Sequence, residues 1–205
     1  MRKFDVVLAI AAMLSLAFVG YTLADSPKIA TSAAAIGAKA PDFTLQNQDG
    51  TDVSLHDFAG KIVVLEWTNP ECPVVQRHYA AHTMLDLYKN YKDKGVNWVA
   101  INSSNFTTND IDKQWQKDQS IPYSVLNDAP GNVGHAYGAT NTPNMFIIGK
   151  DGTLLYRGAI DNDPEGDMTS GKINYVKQAL DQILADQAVT VPETKAYGCS
   201  VKYKD

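Results

Sequence analysis

KIVVLEWTNPECPVVQRHYAAHT, residues Lys61 to Thr83, is the stretch from which the rest of the chain is read. Ile62-Val63-Val64-Leu65 is apolar and β-branched, the pattern of a buried strand. Glu66 to Glu71 is a polar turn, and Cys72 follows with Pro73 directly after it. Proline is favoured at the first position of a helix, where its missing N–H costs nothing. No further Pro or Gly interrupts Val74 to Lys92, which predicts one continuous helix. Cys72 therefore stands where a strand ends and a helix begins. Free N–H groups and the positive end of the helix dipole favour a thiolate there. That setting makes Cys72 a candidate nucleophile; the alternative is a small buried thiol.

The first residues read as a targeting segment. Met1-Arg2-Lys3 is basic, Val6 to Gly20 is apolar, and Thr22-Leu23-Ala24 resembles a small-residue cleavage site. Residues 1–24 are thus expected to be a signal peptide, with the mature chain starting near Asp25. An uncleaved anchor is the rival, since Val6 to Ala24 is just long enough to span a bilayer. Ser26 to Ala40, rich in Ala, Ser and Thr, reads as a tether. About 180 residues remain, enough for one domain with its own core. The formal net charge is -5 and there is no long basic run, which argues against nucleic acid. The chain has 2 cysteines, Cys72 and Cys199, and export would permit one disulfide.

Further along, Ala40 to Leu45 and Thr51 to Leu55 flank an Asn-Gln-Asp-Gly turn and read as an N-terminal β-hairpin. Gly95 stops the central helix. Val96 to Ile101 is a core strand, and Asn109 to Lys117 a short helix capped by Asn109 or Asp110. Pro122 to Leu126 is a strand and Gly131 to Tyr137 a helical turn. Asn144 to Ile148 and Thr153 to Tyr156 form a second hairpin around Asp151-Gly152. Lys172 to Gln187 is the last helix, with Ile173, Val176, Leu180, Ile183 and Leu184 along one face. Val189 to Asp205 is a tail carrying Cys199. This order implies an α/β fold, a mixed central sheet with helices on both faces.

Several separate patches resemble the AhpC/TSA-redoxin group of thioredoxin-fold proteins, in an exported, peroxiredoxin-like form. They are Ala40-Pro41-Asp42-Phe43, Leu55 to Lys61, the strand to Glu66-Trp67, Tyr137 to Pro143, Ile148 to Gly152 and Tyr156 to Asp161. The tail from Thr194 to Tyr203 is similar to that of exported relatives with a Cys-Pro active site. The resemblance covers about Ile36 to Ala188 and implies a redoxin domain over 40–188 with the tail at 189–205. It also implies a cis-proline at Pro143 opposite the active cysteine, leaving the Thr142 backbone free for an extended substrate. Thr68, Asn69 and Pro73 are the other candidate substrate contacts. The departures are equally specific. Val75 stands where thioredoxins have a second cysteine, so exchange within the motif is impossible. The peroxiredoxin Pro and Thr positions hold Leu65 and Asn69, and Thr68 is one residue off. Pro143 takes the place of the family's arginine. Arg77, about one turn into the helix, is the candidate to face the thiolate; Arg157 is the other arginine of the mature chain.

His78 and His82 are four apart and would lie one above the other on a continuous helix. They read either as core-edge histidines or, with Cys72, as a copper or zinc site. The acidic loop Asp161 to Asp167 lacks the ligand spacing of a calcium loop. Taken together the sequence implies an exported thiol oxidoreductase. Cys72 attacks a peroxide or a disulfide, Cys199 resolves, an outside reductant resets the pair, and no dissociable cofactor is needed. A copper carrier and a redox-inert scaffold with a structural disulfide are the alternatives.

Overall fold

A computed structural model describes residues 34–204. The signal peptide, its cleavage site and most of the tether lie outside the described residues. Among the described residues no helix is long and apolar enough to cross a membrane.

Among the described residues, nine strands and five α-helices follow in chain order. They are β1 Thr44–Asn47, β2 Asp52–Ser54, β3 Ile62–Trp67, α1 Pro73–Ala80, α2 Thr83–Tyr91, β4 Val96–Asn102, α3 Asn109–Asp118, β5 Val125–Asn127, α4 Asn132–Tyr137, β6 Asn141–Thr142, β7 Asn144–Ile148, β8 Leu154–Gly158, α5 Tyr175–Leu184 and β9 Cys199–Ser200. Seven strands form one sheet in the order β2-β1-β5-β4-β3-β7-β8. The centre, β5-β4-β3, is parallel; β7 and β8 on one side and β1 and β2 on the other run antiparallel to their neighbours. The fold is thioredoxin-like. Strand β1 pairs with β5 as well as β2, so this hairpin forms the sheet's edge. β6 and β9 make a separate two-stranded ladder.

Alternation along β3 divides the core. Ile62 and Val64 point to the face covered by α1, α2 and α5, where they meet Tyr79, Leu87 and Leu180. Val63, Leu65 and Trp67 point to the other face, with Tyr137 of α4, Phe146 and Leu154. Every residue of β3 is buried, as a central strand covered on both faces requires.

Some expectations are corrected. The helix after Cys72 is not continuous: α1 ends at Ala80, and His82 adopts a left-handed φ of 55° before α2. A residue at positive φ cannot continue an α-helix, so the chain turns between the two segments. Helix α3 is capped by Thr108, whose side chain accepts from the Ile111 N–H, not by Asn109 or Asp110. Helix α5 starts later than expected, behind Asn174, and leaves Ile173 46% exposed rather than on its buried face.

Candidate active site

Cys72 is the N-cap of α1 and Pro73 its first residue. The turn before them is pinned by its own polar groups. Cys72 N–H donates to the Asn69 carbonyl at 3.0 Å, Glu71 N–H to Asn69 Oδ1 at 2.8 Å, and Gln76 Nε2 to the Pro70 carbonyl at 2.7 Å. Asn69 is thus engaged within the turn. Thr68 is buried and its N–H donates to the Ile101 carbonyl at 2.9 Å. Their place is beneath the turn rather than on an open surface.

The Thr142–Pro143 peptide bond is cis and lies across from Cys72, whose Sγ donates to the Thr142 carbonyl at 3.1 Å. The chain tail closes the arrangement. β9 runs antiparallel to β6, with Cys199 opposite Thr142 and Ser200 opposite Asn141. The Thr142 backbone, expected to be open to an extended substrate, is therefore paired with the protein's own tail. Gly198 has φ +103°, and a Cβ there would sit 2.2 Å from the Thr142 carbonyl oxygen. Only glycine allows so close a pass. Both cysteines are thiols. Cys72 is 1% exposed, while Cys199 is partly exposed.

The two sulfurs act on each other. Burial is the largest single influence on Cys72 and raises it. Hydrogen bonds together outweigh burial and leave the thiol below its ordinary value. They come from the Cys199 and Thr142 side chains and from the Val75 and Cys199 N–H groups. Val75 N–H belongs to the first turn of α1, so the helix terminus contributes as the sequence implies. Thr142 Oγ1 is buried and has no other partner, so it is placed to donate once the sulfur is a thiolate. Cys199 is pushed up, by burial first and then by its neighbour Cys72.

Arg77 does not face the sulfur. Its guanidinium donates to the carbonyls of Pro164 at 2.9 Å and Asp163 at 3.1 Å, in the acidic loop, and it is not among the groups acting on the Cys72 thiol. Arg157 reaches the Ala34 carbonyl at 2.7 Å and Glu193 Oε1 at 2.7 Å. The histidine pair is also separated. His78 is buried, with Nε2 3.0 Å from Tyr197 Oη, and burial pushes its ring down to about 4. His82 is exposed at the break between α1 and α2. Among the described residues no group of three or more His, Cys, Asp or Glu side chains is placed to hold a metal ion.

Two features escaped the sequence reading. Glu66, the polar residue of β3, is fully buried on the α1 face. Its carboxylate accepts from Tyr79 Oη at 2.9 Å, Trp98 Nε1 at 2.9 Å and Tyr123 Oη at 3.1 Å. Burial raises it to about 7 despite these donors. The second is the latch on the tail: Tyr197 Oη donates to Asp161 Oδ1 while touching His78, and Lys172 Nζ lies 3.2 Å from Asp161. A buried acid inside an apolar run is a signal in the sequence; which partners it finds is not.

Residues 36–157 match the AhpC/TSA family. The chain is 30% identical over 137 residues to "Thiol-disulfide oxidoreductase ResA" of Bacillus thuringiensis subsp. konkukian, covering 67% of this chain and 77% of that protein. Among solved structures, an uncharacterized conserved protein from Geobacillus kaustophilus superposes with a TM-score of 0.75 at 29% identity, covering 83% of this chain and 93% of that one. A putative thiol:disulfide interchange protein DsbE from Chlorobium tepidum superposes with a TM-score of 0.55 at 28% identity, covering 61% and 85%. Fold, motif order and these matches agree, and the chain belongs to the AhpC/TSA family.

Proposed function

We propose that the protein is a thiol–disulfide oxidoreductase in which Cys72 and Cys199 cycle between two thiols and one disulfide. The observation that carries this is the β6–β9 register. It sets Cys199 opposite Thr142, whose carbonyl already accepts the Cys72 S–H. A second cysteine brought in by the tail takes the role that Val75 cannot. Forming the disulfide releases two protons and two electrons to a partner disulfide, and a partner dithiol returns them. No dissociable cofactor enters. The relatives named as thiol–disulfide oxidoreductases support the same chemistry. A partner disulfide is favoured over peroxide because Arg77, the candidate to polarise a peroxide, is turned to the acidic loop. Export, read from residues 1–24, fits a disulfide-forming pair, and residues 40–188 with the tail 189–205 act as one redox unit. Peptide mapping of protein equilibrated with oxidised and reduced glutathione tests the reading. A linked Cys72–Cys199 peptide is expected. No such linkage there, with hydrogen peroxide added separately being consumed and leaving a Cys72 sulfenic acid beside a free Cys199, would replace it with a peroxidase.

A further inference from the structure

We infer that the partner's sulfur joins Cys199 and not Cys72: the mixed disulfide of the cycle forms on the tail. This rests on the redox-pair reading above and assigns the two sulfurs different tasks within it.

Access is the first argument. Thiol–disulfide exchange requires the incoming thiolate to reach the sulfur it attacks. Cys72 is 1% exposed, beneath the tail; Cys199 is partly exposed on it. The cover is fixed on both sides of Cys199. Ahead of it, Tyr197 is held by Asp161 and by His78 at 3.0 Å, and Gly198 presses against Thr142. Behind it, Val201 N–H donates to the Thr140 carbonyl at 3.1 Å, and Val201 is buried. Tyr203 stacks on His135 with ring centroids 4.0 Å apart and donates to the Ala139 carbonyl at 2.7 Å. It fills a notch that exists because residues 131 and 134 are glycines: a Cβ on either would come within 2.6 Å and 2.4 Å of its ring and hydroxyl. With all of these contacts in place, Cys199 is the sulfur-bearing residue that is partly exposed.

The leaving group is the second argument. Attack on Cys199 expels the Cys72 sulfur into the donors already aimed at it, the Val75 and Cys199 N–H groups and the Thr142 hydroxyl. Attack on Cys72 would expel the Cys199 sulfur, for which the Val74 N–H and the Lys202 charge do not outweigh burial and the neighbouring Cys72 sulfur. The more stabilised thiolate leaves faster.

The step balances. A partner thiolate attacks the Cys199 sulfur, a partner–Cys199 disulfide forms, the Cys72–Cys199 bond breaks, and Cys72 departs as thiolate. The partner's second thiolate then attacks the partner sulfur of that mixed disulfide, making the partner disulfide and releasing Cys199, which takes a proton from solvent. Two electrons pass from the partner dithiol to the pair. In reverse, Cys199 attacks a partner disulfide and Cys72 resolves the mixed disulfide from within. The partner class is a protein dithiol or disulfide in either direction.

The test starts from full-length oxidised protein, mapped first for the Cys72–Cys199 bond. Reduced glutathione is added as probe, the reaction is quenched in acid, and free thiols are alkylated and mapped. Glutathione on Cys199 with alkyl on Cys72 is expected, in at least tenfold excess over the opposite pattern. With oxidised glutathione, Cys72→Ser should take up glutathione on Cys199 at least tenfold faster than Cys199→Ser does on Cys72. Glutathione on Cys72 in the first experiment, or the reverse rate order in the second, overturns the assignment and leaves the redox pair intact. Absence of the Cys72–Cys199 bond at the outset removes the pair and this inference with it.

Discussion

Glu66 is an acid with no exposure to water. It sits in a strand that is otherwise apolar, six residues before Cys72, and is satisfied by Tyr79, Trp98 and Tyr123 from three other elements. Tyr79 belongs to α1, so the carboxyl ties the helix that Cys72 caps to the sheet. Its raised value, about 7 against 4.5 for an ordinary glutamate, fixes the sign of a pH effect. Between those values the folded protein holds a proton that the unfolded chain releases. The stability linked to that proton is complete below about 4.5 and is lost as pH rises through about 7. His78 acts oppositely: its ring is pushed down to about 4, so stability linked to it rises between about 4 and 6.5. Comparing wild type with Glu66→Gln isolates the carboxyl, because His78 is common to both. Urea unfolding should show the wild type losing on the order of 2–3 kcal/mol relative to the variant between about pH 5 and 8. A constant difference across that range would mean that Glu66 is ionised throughout.

At the scale of elements, β9 is a strand of two residues that determines what Cys72 can meet. Gly198→Ala tests its hold. The new Cβ would need a φ near +103° and would lie 2.2 Å from a backbone oxygen, so the tail must lift from β6. Alkylation of Cys72 by a bulky maleimide should rise at least tenfold. The main sheet is untouched, so the loss in stability should be on the order of 1–2 kcal/mol. An unchanged alkylation rate would show that the tail is not what covers Cys72. The sequence made much of this frame legible because its signals are local. The β-branched run 62–65 marks β3, Cys72-Pro73 marks the start of α1, and Asp151-Gly152 marks the turn from β7 to β8, while the cis bond at Pro143 is implied by the family resemblance. What it hid depends on distant partners. Ala80-Ala81 are good helix formers and His82 carries no Gly or Pro signal, so the break between α1 and α2 has no local cause in the sequence. Arg77 lies on the right helix for a thiolate partner, but loop carbonyls at 163 and 164, far along the chain, take its guanidinium. That Tyr197 holds the tail through His78 and Asp161 is visible only once all three are folded together.

For the whole molecule, the cysteine pair links nearly the first element of the domain's centre to its end. The Cys72–Cys199 disulfide would close a loop of roughly 130 residues, which in the chain-entropy model restricts the unfolded chain by about 5 kcal/mol. Between those residues lie the parallel strands β4 and β5, the β7–β8 hairpin and all five helices. The restriction therefore acts on most of the fold. The same quantity enters the redox chemistry. The disulfide is stabilised in the folded protein by as much as it stabilises folding, so a pair that raises stability strongly is hard to reduce. A pair made to hand its disulfide on gives up part of the entropic gain. The reduced form already satisfies the Cys72 thiolate with the Val75 and Cys199 N–H groups and with Thr142, which favours the dithiol and lowers that gain. Urea unfolding of the oxidised and reduced proteins, under conditions that hold each state, measures the difference. The oxidised form should be the more stable, by less than the full chain-entropy value, on the order of 1–3 kcal/mol. A difference at or above about 5 kcal/mol would identify a structural disulfide that resists exchange. It would also remove the case for turnover at Cys199, since a bond that stable is not returned to a partner.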